Sequence, residues 1–464
     1  MLLCRVNLPH RLLIQAVYFP VYPHIFPDAL LKGSYFLWNN NPKNYETDKN
    51  NMREIPDSCW QRRWLALLLT GLLSGAAGML IALLLHAIQH LAFGYSQQSL
   101  IGGAPFLQGV TDASALRRFA SLAAAGVVAG WGWWLLAHYA KKRVSVGAAL
   151  KDVQRPMPAF TTITHALLQV VTVAMGSPLG RESAPREVGA LFGGGIARHI
   201  GLNAQETRLL IACGAGAGLA AVYNVPLAGA IFTLEVLLVT ISWDAVIAAI
   251  VTSALAAFVA SLVLGNERQY LFTAPTAPLS LIIWATLSGP LFGYAASLFR
   301  RMTKNARAQV KTNWQMPVFC FIAFACLGLL AIWFPQLPGN GRGPVQLSFG
   351  GGVTLPLAAM LIGLKVLSIW MVLRSGAEGG LLTPGLAIGA LLGALMFLLV
   401  GKFFPDGSMA EFALTGGAAF LASSMQMPLT AIVLLMEFTG MDFSFFVPLT
   451  LCVAGAYMTC RSCE

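Results

Sequence analysis

Residues Gly180–Gly193 read GRESAPREVGALFG, and residues Gly380–Gly393 read GLLTPGLAIGALLG. Laid over each other at an offset of 200 residues, they share the first glycine and the closing G-A-L-φ-G, with φ an apolar residue. At an offset of 202, Gly216–Glu235 lies over Ala418–Glu437, and Ala217/Ala419, Leu219/Leu421, Ala220/Ala422, Pro226/Pro428, Leu227/Leu429 and Glu235/Glu437 coincide. Two blocks in the same order at nearly the same spacing mean that the chain is written twice. The halves run over about 60–265 and 275–460 and are joined through Asn266-Glu267-Arg268. Each carries a Gly-rich break followed by a helix, and later an apolar-Pro-Leu start to another helix. Whether the halves are parallel or inverted is left open by the residues themselves.

Around these blocks the chain is built for lipid. Of 464 residues, 57% are hydrophobic and 11% charged, about half the charged fraction of a soluble domain. Trp64–Leu85 and Ala212–Ala230 contain no charge at all, and about 20 apolar residues cross the hydrocarbon core. The expectation is an all-α, multi-pass membrane protein. Lys and Arg exceed Asp and Glu by 30 to 19, a net charge of +11, but the cations sit between apolar segments. Arg62 and Arg63, Lys141–Arg143 with Lys151 and Arg155, and Arg300 to Lys311 read as cytoplasmic loops, not as a nucleic-acid groove. Residues 1–51 are rich in Asn, Pro, Tyr and Phe without helical period, and form no signal peptide. They read as a doubtful N-terminal extension ahead of a start at Met52, with 52–464 as the membrane domain. Eight scattered cysteines include a single terminal C-x-x-C, Cys460 and Cys463, which lacks a partner motif for a metal site.

Non-helical backbone at membrane depth must be buried in protein or line a cavity, so the breaks Gly176–Pro185 and Gly376–Pro384 are not lipid-facing loops. A helix starting at such a break aims unpaired N–H groups and a positive dipole end inward, which suits an anion. Two such starts, one per half, could converge on one ion. Glu182 lies in the first break, far from any flank, and an intramembrane carboxylate is read as functional by default. There it would compete with an anion for the same place. The plainer reading is a structural pair with Arg181 or Arg186. Glu235 and Glu437 are repeat mates, which fits a shared structural task such as a helix-end hydrogen bond better than a unique proton relay. Arg186 and Glu187 are read as helix caps, and Asp244 and Asp442 as interfacial. His86 and His90 stand at i, i+4 without a third ligand, so no metal site is expected. No paired acids, activated nucleophile or metal cluster points to an enzyme, and no cofactor is implied.

The pattern resembles the CLC family of chloride channels and chloride/proton antiporters, and most closely its bacterial, ClcB-like branch. The resemblance covers roughly residues 60–460 and rests on GSPLGRESA (Gly176–Ala184), IACGAGAGLAAVYNVPLAGAIFTLEV (Ile211–Val236), SGAEGGLLTP (Ser375–Pro384) and MPLTAIVLLMEFTG (Met427–Gly440). It implies inverted-repeat halves of interrupted, tilted helices, a homodimer with one pore per subunit, and a place in the bacterial inner membrane. It implies that Glu182 gates the pore, and that backbone N–H groups of Gly180, Arg181, Gly380, Leu381 and Leu382 hold the anion. No cytoplasmic C-terminal domain is expected beyond the last span.

Some positions depart from the family pattern. Ser183-Ala184 replaces the usual Gly-Pro after the glutamate. The early loop that supplies an anion-coordinating serine reads AKKRVSVG (Ala140–Gly147), with Ser145 its one serine. Tyr457 falls too early for the family's C-terminal tyrosine, and the ending TCRSCE fits a truncation or frameshift. Val236 occupies the position where family antiporters commonly carry an inner, proton-accepting glutamate. A valine takes up no proton, so the expectation is channel-like chloride passage gated at Glu182, serving as an electrical shunt in acid resistance. The alternatives are a chloride/proton antiporter, with Glu235 on the proton path, or a carrier of another small anion such as fluoride or nitrate.

Overall fold

The structure is a computed structural model that describes residues 57–94, 106–274 and 276–463; the N-terminal extension 1–51 and the start at Met52 lie outside them. The first half comprises α1 (Asp57–Phe93), α2 (Phe106–Asp112), α3 (Ala115–Tyr139), α4 (Val146–Lys151), α5 (Ala159–Ala174), α6 (Ser183–Ile200), α7 (Ala204–Tyr223), α8 (Pro226–Phe232) and α9 (Trp243–Leu264). The second comprises α10 (Leu279–Ala308), α11 (Met316–Trp333), α12 (Arg342–Phe349), α13 (Leu355–Ser375), α14 (Leu382–Val400), α15 (Met409–Met425), α16 (Pro428–Thr439) and α17 (Phe446–Ser462). Among the described residues, eight helices are long and apolar enough to cross a membrane, while α5, α16 and α8 with its π-helical extension are shorter. Leu80, Phe258 and Leu287 are exposed on these spans, as lipid-facing side chains must be.

The repeat is visible in how the helices start and stop. A capping box of Asn203 and Glu206 opens α7, and at the matching start of α15 Glu411 accepts from Ser408 N. Both helices end on a left-handed residue, Asn224 (φ 54°) and Gln426 (φ 55°), two residues before the proline that opens α8 or α16. Proline is favoured there because the first helical N–H has no intrahelical partner.

The direction of the halves follows from contacts at the two ends. Arg117, at the start of α3, donates to Leu91 O and Ala92 O at the end of α1. Arg118 donates to Ala331 O near the end of α11. The start of α1, the end of α3 and the start of α11 therefore share the opposite end, which collects Arg62, Arg63, Lys141–Arg143 and the Arg300–Lys311 cluster. At this basic end α5 begins, with Thr161 Oγ1 donating to Lys141 O, and α13 finishes, with Arg374 donating to Gln309 O. The helices that precede the two breaks thus run in opposite directions, and the halves are inverted.

Small residues let the inner helices touch. At the α6–α7 crossing, a Cβ on Gly189 would collide with Gly214 O, and one on Gly214 with Gly189 O. The repeat mates Gly389 and Gly416 make the same reciprocal approach between α14 and α15. Gly189→Val should therefore lower the thermal unfolding midpoint in detergent, through overpacking of about 1–3 kcal/mol. An unchanged midpoint would mean that the crossing is not tight.

Candidate functional site: a carboxylate between two cavities

The two breaks approach from opposite ends. Gly176 (φ 111°) follows α5 and accepts a hydrogen bond from Gly339 N. Gly376 (φ 105°) follows α13 beside Val310 and Met316 at the basic end. Both turns need the left-handed region that glycine enters without penalty. Between these turns the breaks meet. Gly180 N donates to Gly380 O at 2.7 Å, and Gly380 N to Gly180 O at 2.9 Å. This corrects one expectation: the N–H groups of Gly180 and Gly380 are committed to each other and do not face an anion. Backbone excluded from water at this depth needs partners, and each break supplies the other's.

Directly over this pair lies Glu182, 0% exposed. It occupies the N-cap of α6 but makes no side-chain bond to its own helix. Its Oε1 instead accepts from Leu382 N (2.7 Å), at the start of α14, and its Oε2 from Tyr223 Oη (3.2 Å). A Cβ on either Gly180 or Gly380 would overlap the carboxylate, so the glycine pair forms its floor. The positive end of α14 is therefore occupied by the protein's own anion. Tyr223 Oη also lies 2.8 Å from Thr383 Oγ1, and the Arg181 guanidinium stands 5.0 Å from the Tyr223 ring centroid. Leu381 is the N-cap of α14.

Cavities lie on both sides of this carboxylate. The larger, ≈940 Å³, is lined by Arg181, Arg342, Arg268, His86, Gln269 and Tyr223. The smaller, ≈210 Å³, is lined by Ser145, Ser183, Arg186, Glu187 and Phe232. Arg181 thus faces one cavity and Ser183 the other, with Glu182 closed off between them. Arg186 donates to Glu182 O and Ser183 Oγ. Among the described residues no ion pair includes the Glu182 carboxylate, so the structural-pair reading with Arg181 or Arg186 is set aside. Ser145 lines the smaller cavity and caps α4 through Ala148 N.

The other acids hold structure. Glu235 accepts from Leu429 N, Thr430 N and Thr430 Oγ1 at 2.6–2.8 Å. Glu437 accepts from Leu227 N and Ala228 N at 3.0 and 2.7 Å. Each half's glutamate therefore caps the Pro-initiated helix of the other half. Val236 beside Glu235 is half-buried and packs against the core. Asp244 pairs with Arg63, and Asp442 caps a turn at Ser444 N. Among the described residues no His/Cys/Asp/Glu group could hold a metal ion, and Cys460 Sγ lies 3.6 Å from Ser423 O.

Two participants were not singled out in the sequence. Tyr223 stands in a Gly/Ala-rich run that reads only as close packing. Lys365, fully buried in the span α13, donates to Leu337 O (3.0 Å) and Gly339 O (2.5 Å). A charged residue in so apolar a span was itself the signal.

Comparison with known proteins points the same way. The family model for voltage gated chloride channels matches residues 125–461. The voltage-gated ClC-type chloride channel ClcB of Escherichia coli (strain SMS-3-5 / SECEC) is 31% identical over 402 residues, covering 82% of this chain and 91% of that protein. The H(+)/Cl(-) exchange transporter ClcA of Cronobacter sakazakii is 30% identical over 302 residues, 61% of this chain and 63% of that protein. The crystal structure of a slow cyanobacterial Cl-/H+ antiporter superposes with a TM-score of 0.74 at 20% identity, over 87% of this chain and 95% of that one. A CLC-type fluoride/proton antiporter gives 0.63 at 20% identity, over 87% and 96%. What these two structures share with this chain is the fold.

The seat of Glu182 can be tested by crowding it. In Gly380→Ala the new methyl would occupy the space of Oε1, so the carboxylate should leave Leu382 N. A structure of that variant with the Glu182–Leu382 bond intact would contradict the placement of the glycine pair under the carboxylate.

Proposed function

This chain belongs to the voltage-gated chloride channel (CLC) family, and we propose that it passes chloride along the line joining the two cavities, with Glu182 as the gate. The observation that carries the reading is the Glu182 carboxylate seated on Leu382 N, at a helix start, between the cavities. A chloride and a carboxylate are stabilised there by the same N–H groups and the same dipole end. They exclude each other. When chloride displaces the side chain, or a proton removes its charge, the seat is vacated and the two cavities connect. The hydroxyls of Tyr223 and Thr383 lie next to the seat and can donate to whichever anion holds it.

Arg181, Arg342 and Arg268 on the wall of the larger cavity raise the local concentration of anions. Dipole ends and guanidinium groups suit any small monovalent anion, so size and dehydration set the preference. Chloride is proposed because the two sequence relatives above are chloride proteins by name.

Passage is proposed to be channel-like. Val236 takes up no proton, and the Glu235 carboxylate is occupied by three hydrogen bonds to the start of α16. By the positive-inside rule the basic end is cytoplasmic, and the larger cavity then opens to the outside. We further propose a homodimer in a bacterial inner membrane, acting as an electrical shunt during acid stress. Transport, with no catalysed reaction and no cofactor, is the whole of the proposed activity.

The test is chloride efflux from proteoliposomes with a pH electrode in the same bath. Wild-type efflux should proceed without stoichiometric proton uptake, and acid should increase it. Glu182→Gln and Glu182→Ala should be open at neutral pH, with efflux there above that of wild type and a weaker response to acid. Protons driven uphill by the chloride gradient would overturn the channel-like reading, and an unaltered pH response in both variants would overturn the gate.

A further inference from the structure

A second group of ionisable side chains lies toward the basic end, assembled from four distant segments. His165, on α5 and 2% exposed, is its centre. Its Nδ1 is 2.8 Å from Glu187 Oε2, on α6, and 2.9 Å from Gln169 Nε2. Its Nε2 is 3.2 Å from Glu378 Oε2, in the second break, and 2.7 Å from Arg143 Nη1, in the loop after α3. Arg143 also pairs with Glu378 (2.9 Å) and Glu187 (3.3 Å). The ring of Trp133 packs edge-on against the imidazole. The remaining charged groups nearby are Arg186, held on Glu182 O, and Arg307, which donates to Gly379 O.

Nδ1 of His165 thus faces Glu187, Gln169 and, at 3.2 Å, Arg143 Nη1, while Nε2 faces Glu378 and the same Arg143 nitrogen. A nitrogen bearing a proton suits the carboxylate, and a bare nitrogen suits the donor. Neutral imidazole can satisfy only one carboxylate and must turn its other nitrogen toward Gln169 or Arg143. The imidazolium satisfies Glu187 and Glu378 together, and then Nε2–H and the Arg143 guanidinium repel. A single proton therefore decides whether the ring satisfies one carboxylate or both.

We propose that His165, with Glu187, Glu378 and Arg143, is a proton-binding site that sets anion access from the basic end. The proton comes from water at that end, where the side chains of Glu378 (44% exposed) and Arg143 (31%) reach solvent. It adds to the Nε2 lone pair, and no other bond is made or broken except hydrogen bonds. The result is one added positive charge beside the smaller cavity. Glu187 lines that cavity, as do Ser145, Val146 and Gly147, which follow Arg143 closely in the chain. Arg143, repelled by the imidazolium, keeps Glu187 and Glu378 as its partners at the edge of that cavity. Glu378 stands two residues before Gly380, so the same proton also bears on the break that floors the Glu182 seat. Acid at the basic end therefore favours anion entry, and alkali disfavours it. The inference rests on the proposed passage between the cavities and assigns it a second, separate control.

The experiment uses everted membrane vesicles, whose cytoplasmic face meets the bath, with lumenal pH fixed and bath pH varied between about 5 and 8, the range in which histidine titrates. The background is Glu182→Gln, which removes the gate's own titration. Chloride flux in Glu182→Gln should still fall as bath pH rises, by up to about tenfold per pH unit above the midpoint of a one-proton site. Adding His165→Lys should leave flux high and flat, and adding His165→Gln low and flat. Adding Glu378→Gln removes one carboxylate that stabilises the imidazolium, so the midpoint should move to lower pH; a merely structural partner would not move it. Equal bath-pH dependence with and without the His165 substitutions, in proteins that elute as a single species, would overturn the proposal. If Glu182→Gln alone is closed, the gate reading fails, and the same His165 comparison in wild type still decides this one.

Discussion

Two hydrogen bonds between Gly180 and Gly380 set the terms for everything around them. Two helices have been interrupted inside the membrane, and the exposed backbone of each interruption has no water to turn to. Pairing the interruptions with each other satisfies both. It also fixes the helix that follows each of them, so that α6 and α14 start side by side at mid-depth. Only glycine permits the pairing at this spacing, because any side chain on either residue would take the space of the Glu182 carboxylate. The acid seat and the backbone pairing are one object, and neither can be altered alone.

The surroundings serve that object at some distance. Lys365 brings an ionisable amine into an apolar span, where it holds the carbonyls of Leu337 and Gly339. The same loop donates Gly339 N to Gly176 O at the start of the first break, and it leads into Arg342 on the wall of the larger cavity. A buried ammonium with no carboxylate among its hydrogen-bond partners is expensive unless carbonyl dipoles satisfy it. In this protein those carbonyls belong to the segment that buttresses the first break. A residue of the second half thus shapes both the wall of the larger cavity and the turn that precedes Glu182.

Much of this was legible because glycine, proline and charge are rare punctuation in an apolar chain. The two breaks, the repeat and Glu182 were all read from residues whose presence in a span needs a reason. The inversion of the halves also had a signal: basic residues precede α5 at Lys151 and Arg155, but close α13 at Arg374. Side-chain periodicity carries no direction, so only the ends of the helices could reveal it. What the sequence concealed was pairing across long separations. Gly180 and Gly380 look like two anion donors until their mutual bonds are seen. Arg143, His165, Glu187 and Glu378 look like a loop cation, a lone histidine, a helix cap and a loop acid until the fold brings them together. Lys365 was visible as a charge in a span, but its partners are carbonyls, which every residue has.

The crossed glutamates carry a consequence for how such a protein can move. Glu235 of the first half holds the start of α16, and Glu437 of the second holds the start of α8. Many inverted-repeat carriers work by tipping one half against the other about a central site. In this chain a tilt of that kind would tear both carboxylates from their helix starts at once and strand charged groups in a half-buried setting. Each half therefore holds a helix start of the other. On the proposed gating, what opens and closes is small and local, the swing of the Glu182 side chain.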